Sequence, residues 1–434
     1  MNDAGTACER LAGNARRFAA FTGLIEVDPL DRFFLIVGAP GSGKTEFISR
    51  CTDQEMGPSE RLPSCTDSIN VFNYKWHGRR IHLIDTPGFN DPNRSDIETL
   101  KVLSTYLGAS YANEVRIDGI LMLQSIKSDN TGTTNRHNID MVKAICGFTG
   151  YRNFGIATTM WPRESGRNDD RQTWNQCVFL RNREAEIIQK YYGDLQQDGA
   201  FSCRFNETGT WNPYEQKAHA QNIMSQLIEL SDGYKPEALQ FPREFIHERR
   251  ILAKTSVGTY VGIQLYKSMK AYEAHMAEVT AEMEKAAENE DAENLAELTE
   301  VRDEIEGYLS QVHQDQAILK GTFEDFHGDE QMEWKEKMDV LETDFREEID
   351  RKETELLELE DMVRGMRKEA ERKYRLDRQK KEEAMDKVED YQEAIESSRE
   401  EMAQSRGAYK QFRSAKTEIF NKLESEEGGV CTIM

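Results

Sequence analysis

The chain has 434 residues, 38% hydrophobic and 31% charged, with a formal net charge of -23 at pH 7. This length allows two or three structural units, and the mixture predicts a globular core joined to a long, solvated helical part. The acidic balance excludes nonspecific nucleic-acid binding, which needs clustered Lys and Arg, and no run of 18 apolar residues is present to form a membrane-spanning helix. Residues 1–27 mix Asp3, Glu9, Arg10, Arg16 and Arg17 with short apolar groups, without the continuous apolar core of a signal peptide. The seven cysteines, at 8, 51, 65, 146, 177, 203 and 431, form no CxxC pair. They read as reduced thiols and favour the cytoplasmic side.

A globular domain is expected over 28–232. It opens with the apolar run Arg32–Val37, which predicts a buried strand. Gly38-Ala39-Pro40-Gly41-Ser42-Gly43-Lys44-Thr45 follows and fits GxxxxGK[ST]. Glu46–Cys51 can then open a helix. In this context the glycines let backbone N–H groups wrap a phosphate, and the helix N-terminus adds its dipole. Lys44 is placed to bridge β- and γ-phosphates, and the Thr45 hydroxyl to bind Mg²⁺.

Next comes Ser64-Cys65-Thr66-Asp67-Ser68-Ile69, where Thr66 is the candidate switch threonine that completes Mg²⁺ coordination. The turn at His77–Arg80 predicts an antiparallel hairpin, a feature that separates Ras-like G proteins from all-parallel P-loop kinases. The strand after it ends in Asp85-Thr86-Pro87-Gly88. Asp85 then faces the metal as a Walker B carboxylate, and Gly88 lets a backbone N–H approach the γ-phosphate. Lys44, Thr66 and Gly88 are the candidate catalytic residues; Thr45, Thr66 and Asp85 are the candidate Mg²⁺ ligands.

Further strands are predicted at Asp118–Gln124, Phe154–Thr159 and Phe201–Phe205, with a helix over Asn135–Cys146. Thr159, Trp161 and Asn206 are placed to contact the base, while Gly38–Glu46, Asp85 and Gly88 contact the rest of the nucleotide. The signature set GAPGSGKT, SCTDSI, LIDTPGFND and FGIATTMW resembles the septin/GIMAP-like branch of the Ras-type (TRAFAC) P-loop GTPases. Fungal G-domain proteins with C-terminal coiled coils are similar in style. The resemblance covers roughly 30–235. It implies GTP/GDP and Mg²⁺ as ligands, hydrolysis of GTP to GDP and phosphate, and pairing of G domains.

Two positions depart from that pattern. The Asp that usually reads guanine after the fifth strand is Pro162 here, so Trp161 stacking on the base, with Glu164 or Asn206 as acceptor, is the expected substitute. The Gln that usually orients the attacking water is Phe89, which implies slow hydrolysis or water positioning by Asn90, Asp91 or a partner. Arg61 and Arg94 are candidate arginine fingers, within the chain or across a dimer.

All ten prolines fall at or before Pro242, so a linker is placed at Asp232–Pro242. A linker and helical region is expected over 233–335, with Gly307, Gly321 and Gly328 interrupting the helix. A coiled coil follows over 336–424. Its heptad seam runs 345, 349, 352, 356, 359, 363, 366 and 370, then 384, 388, 391, 395, 398, 402, 405, 409, 412, 416, 419 and 423. A stutter lies at Met366–Ala370–Tyr374 and polar seam positions near Asp377 and Lys381. A rod of roughly 120 Å over 345–423 follows from a rise of about 1.5 Å per residue. Such a stripe needs a partner, and homodimerisation through the coil or the G domain is expected. The tail 425–434 ends Cys431-Thr432-Ile433-Met434, a CaaX form associated with farnesylation at Cys431 and with attachment to the cytoplasmic face of a membrane.

The reading is therefore an α/β Ras-like P-loop G domain, its mostly parallel sheet carrying one antiparallel strand, followed by a long helical coiled coil. As function it predicts a GTP-binding switch or scaffold at a membrane. The alternatives are a septin-like nucleotide-binding scaffold with little turnover and an ATP-driven coiled-coil protein.

Overall fold

The computed structural model describes residues 17, 20–22, 27–52, 69–89, 91, 94–127, 133–147, 153–161, 170–206, 213–233, 237–289, 291–373 and 378–427. A six-stranded sheet has the order β2-β3-β1-β4-β5-β6. Its strands are β1 (Arg32–Val37), β2 (Asn70–Trp76), β3 (Arg79–Asp85), β4 (Gly119–Ser125), β5 (Phe154–Thr159) and β6 (Phe201–Arg204). Only the β2–β3 pair is antiparallel. The turn joining it is the expected one, with His77 (φ 47°) and Gly78 (φ 81°) both left-handed, as a two-residue hairpin requires. This is a Ras-like G-domain sheet.

The central strands are mostly apolar because both faces are covered. β1 reads RFFLIV and is buried from Phe33 to Val37, whereas the edge strand β2 alternates between buried and half-exposed. Helix α1 (Lys44–Thr52) packs Phe47, Ile48 and Cys51 against this sheet, joined by Met224 and Leu227 of α5 (Pro213–Gly233). Each fully buried side chain of this size contributes about 1.5–3 kcal/mol. Helices α2 (Asp96–Ala112), α3 (Thr133–Cys146) and α4 (Asp170–Gln197) complete the domain.

Past α5 the chain keeps packing against the G domain. A short helical segment, Gln240–Pro242, runs into a π-helical turn, Arg243–His247, and a 3-10 turn at Leu252–Lys254 follows. Helices α6 (Ser256–Glu288) and α7 (Ala292–Ile318) then form a hairpin, with Tyr272 stacked on Tyr308 at 5.2 Å. The expected interruptions at Gly307 and Gly328 are not formed: Gly307 lies inside α7 and Gly328 inside the helix Phe323–Lys373. A lone glycine costs only about 1 kcal/mol in a helix, and packing offsets that. Gly321, by contrast, does fall between helices.

The contacts divide the chain into two compact units, one containing this G domain and hairpin up to Glu330, the other the helices from Gln331 onward. In the second unit, the remainder of α8 (Phe323–Lys373) and α9 (Arg378–Glu427) run antiparallel. Arg406 meets Glu353 at 2.7 Å, Arg399 meets Glu360 at 2.6 Å, and Lys416 pairs with Asp339 and Glu342. Several predicted seam positions are buried: Val363, Val388 and Ile395 form a core with Leu356, Leu359 and Met366 against them, whereas Tyr391 on the same seam is exposed. The continuous rod over 345–423 is not formed. Instead α9 (from Arg378) runs back along α8 (to Lys373), as the Glu353–Arg406 and Glu360–Arg399 pairs show.

Candidate functional site

The loop between β1 and α1 sits at the carboxyl edge of the central strand. Gly38 (φ 154°) is locked there by crowding: a Cβ would lie 2.5 Å from the Leu123 carbonyl oxygen of β4 and 2.6 Å from Ser42 Oγ. Gly43 (φ 92°) turns the chain into the first turn of α1, where Phe47 N–H donates to its carbonyl at 2.9 Å. Between them Ala39 is half-buried and Pro40 and Gly41 are exposed, while Ser42 is buried and its N–H donates to Ala39 O at 3.1 Å.

The Lys44 ammonium lies against this loop, donating to Gly38 O at 2.8 Å and Ala39 O at 3.3 Å. Burial lowers its pKa from the ordinary lysine value, and the negative charges of Asp85 and Asp91 oppose that shift. The ammonium thus lies on the loop carbonyls within the field of two carboxylates, where a polyphosphate could be paired by it. Thr45 is half-buried at the start of α1; Glu46 instead turns outward to Arg50 at 2.7 Å.

Asp85 ends β3 and is in parallel register with Ile36 of β1, the residue before the last of that strand. The strand alignment therefore brings its carboxylate to the mouth of the loop. Thr86 fixes the turn by donating to Ile36 O at 2.9 Å. Gly88 follows so close to the loop that an added Cβ would lie 3.0 Å from Pro40. A hydroxyl from Thr45 and a carboxylate from Asp85 match the oxygen donors that Mg²⁺ takes when phosphate and water complete its shell. Phe89 is buried at 5% exposure, so it offers nothing to orient a water.

On the other side, β5 delivers Thr159, Met160 and Trp161. Thr159 Oγ1 donates to Ser42 O at 2.6 Å, so this residue braces the phosphate loop. Met160 (φ 61°) is exposed, and its methyl lies 3.4 Å from where a Cβ on Gly43 would stand. Trp161 is buried; its indole N–H is shared by Thr158 O and Oγ1, both at 3.2 Å, and the Arg204 guanidinium lies 5.2 Å from the ring centroid. One face of the ring is thereby taken. Arg204 is held by Glu184 at 2.6 Å, which also accepts from Thr158 Oγ1 at 2.6 Å. Asn206, just past β6, is left-handed (φ 60°), and its buried Oδ1 has no hydrogen-bond partner among the described residues.

The structure thus gathers Gly38–Thr45, Asp85, Gly88 and Thr159 around one loop. Thr66, Arg61, Asn90, Pro162, Glu164 and Cys431 lie outside the described residues. Sequence reading did not single out Glu184 or Arg204. Arg204 carries a weak signal in ending the last strand, while Glu184, in mid-helix, carries none.

Residues 33–146 match the family model of the 50S ribosome-binding GTPases. No curated protein sequence matches the chain. Among solved structures, Toc33 from Arabidopsis thaliana with Mg²⁺ and GMPPNP is similar at 12% identity, covering 52% of this chain and 94% of that one, with a TM-score of 0.35. The cytosolic domain of the T. maritima FeoB iron transporter in apo form is similar at 13% identity over 54% and 86%, with a TM-score of 0.29. At these scores the two likenesses add no weight. Strand order, loop geometry and the family match make this unit a P-loop GTPase G domain.

Proposed function

We propose that the chain is a guanine-nucleotide-binding protein of septin/GIMAP-like character, a slow or assembly-dependent GTPase that acts as a switch or scaffold. The observation that carries this reading is the Lys44 ammonium, held at the loop carbonyls of Gly38 and Ala39 with the charges of Asp85 and Asp91 acting on it. Thr45 and Asp85 would hold Mg²⁺, which supplies charge neutralisation of the phosphates when bound. Lys44 draws charge from the β- and γ-oxygens, and Gly88 N–H senses the γ-phosphate. Thr66 would complete the metal shell in the triphosphate state.

Slow turnover is supported by Phe89, whose buried phenyl stands where a water-orienting amide usually lies. Faster hydrolysis then needs a water-positioning group other than Phe89, from Asn90, Asp91 or a paired G domain. Base recognition falls to Asn206 at the end of β6, whose Oδ1 has no hydrogen-bond partner among the described residues, and to Trp161, whose ring carries Arg204 over one face. The ATP-driven alternative is disfavoured by the β2–β3 hairpin and the Asp85–Gly88 loop.

Membrane attachment through a farnesylated Cys431 belongs to the same reading. No helix among the described residues is long and apolar enough to cross a membrane. A single lipid binds only marginally, and two chains brought together would add the second.

The reading is tested by phosphate release from GTP across a series of chain concentrations. A turnover number that is low when dilute, rises with concentration and vanishes in Lys44→Ala supports assembly-dependent hydrolysis. A rate per chain that is fast and independent of concentration contradicts it.

A further inference from the structure

Helix α2 begins eight residues after Gly88, so its first turn follows the γ-phosphate loop closely in the chain. Ser95 caps it in a complete capping box: Ser95 Oγ accepts from Glu98 N–H, and Glu98 Oε2 accepts from Ser95 N–H, both at 3.1 Å. The hydroxyl has one proton left to give, and it goes to Asp315 Oδ1 at 2.9 Å, 220 residues away in the last turn of α7. Asp315 is 4% exposed, and Gln311 donates to the same oxygen at 3.2 Å.

A second bridge starts from the next residue. Asp96 Oδ2 lies 2.6 Å from His137 Nε2, and His137 Nδ1 lies 3.1 Å from the Tyr260 hydroxyl in the first turns of α6, with the two rings stacked at 5.4 Å. Further along α2, the face at Gly108 admits no side chain, because a Cβ would lie 2.6 Å from the Phe323 ring and 3.0 Å from Ile246. Lys101 sits over Phe326 at 5.5 Å. The near ends of α6 and α7 are themselves joined, Leu252 N–H to Gly321 O at 3.0 Å and Ala253 N–H to Leu319 O at 2.8 Å.

We propose that the α6–α7 hairpin reads the nucleotide state of the G domain through these two bridges, Ser95–Asp315 and Asp96–His137–Tyr260. This rests on the guanine-nucleotide reading above. When Gly88 N–H engages or releases a γ-phosphate, the first turn of α2 shifts. A shift of 1–2 Å, roughly the size of known helix movements at switching interfaces, stretches bonds of 2.9 and 2.6 Å past hydrogen-bonding range. Asp315 would then keep a buried carboxylate with one donor fewer, which is unfavourable. The hairpin therefore either follows α2 or loosens at its base, and in both cases its local stability changes with the nucleotide. Asp315 and Tyr260 are positioning residues, remote from the phosphate loop.

The test is hydrogen exchange on the full chain, without nucleotide, with GDP and Mg²⁺, and with GMPPNP and Mg²⁺, with binding of each nucleotide checked by calorimetry. The double variant Asp315→Ala, Tyr260→Phe is run beside the wild type. In the wild type, exchange at the start of α6 and the end of α7 should differ by about tenfold between the two nucleotides. In the variant, nucleotide affinity should stay within about threefold, a minor change on the affinity scale. The exchange difference should persist around the phosphate loop and vanish in the hairpin. A wild-type chain that binds both nucleotides with equal hairpin exchange overturns the coupling alone. A chain that takes up neither overturns the coupling and the nucleotide reading together. The wild-type comparison decides the proposal even where the double variant does not fold.

Discussion

The Thr159 hydroxyl donates to the Ser42 carbonyl oxygen at 2.6 Å, joining the last residue of β5 to the middle of the phosphate loop. Both residues are buried, so this bond is not shared with solvent. The loop's shape is thereby set from the sheet. Thr159→Val keeps the volume and leaves the Ser42 carbonyl without this donor. Chemical denaturation should show a loss of about 1–3 kcal/mol, the usual cost of an unsatisfied buried polar group. Nucleotide affinity should fall by roughly tenfold, the equivalent of 1.4 kcal/mol. Unchanged affinity would mean that the loop holds its shape unaided.

The two loop glycines should respond differently to a methyl group. At Gly38 the added carbon meets the Leu123 backbone oxygen at 2.5 Å, which cannot yield without moving β4. At Gly43 it meets the end of the Met160 side chain at 3.4 Å and Thr159 at an ordinary 3.9 Å, so the cost is the left-handed backbone, about 1–2 kcal/mol. Gly38→Ala should therefore lower Tm clearly more than Gly43→Ala. Equal losses would show that loop conformation, and not contact with β4, sets the requirement.

Asp118 is the group to watch in pH titrations. Burial raises its pKa to about 6, against a hydrogen bond from Phe33 N–H and the nearby Arg32, both of which lower it. The folded chain thus holds this proton more tightly than the unfolded chain, whose aspartate titrates near 3.9. Its contribution to stability is full below about pH 4 and is lost as pH rises through 6. The Tm of Asp118→Asn relative to wild type should accordingly rise between pH 4.5 and 7.5, by the equivalent of roughly 2 kcal/mol. A pH-independent difference would place the folded pKa near the unfolded one.

In the C-terminal unit, buried apolar contacts should outweigh ion pairs. Ile395→Ala removes a core side chain and should cost about 2–4 kcal/mol. Arg406→Ala breaks an exposed pair with Glu353 and should cost about 0.2–1 kcal/mol. Helix melting followed by circular dichroism separates the two, and a larger loss from Arg406→Ala would contradict the packing described here.

Much of this was legible because the chemistry is local. The run from Arg32 to Thr45 specifies its own strand, turn and helix, and the His77–Gly78 turn announces the antiparallel edge. Seam positions such as Ile349, Val363, Val388, Ile395, Met402 and Phe412 were readable for the same reason, since their burial follows the heptad, although Tyr391 is exposed. The seam's partner was not readable, because periodicity marks an apolar stripe without saying which helix covers it. Thr159 was recognised as a site residue, but the bond it makes depends on the spacing of β5 and the loop across the sheet. Glu184 and Asp315 are single acidic residues in charged helices, and only the tertiary fold distinguishes them from their solvated neighbours.

The most direct test is a calorimetric titration of the full chain with GTP, GDP and ATP in Mg²⁺, with Lys44→Ala alongside. The account predicts tight binding of both guanine nucleotides, none of ATP at comparable concentration, and loss of all binding in the variant. ATP binding as tight as GTP would contradict guanine recognition, and binding that survives Lys44→Ala would remove the phosphate loop from the account.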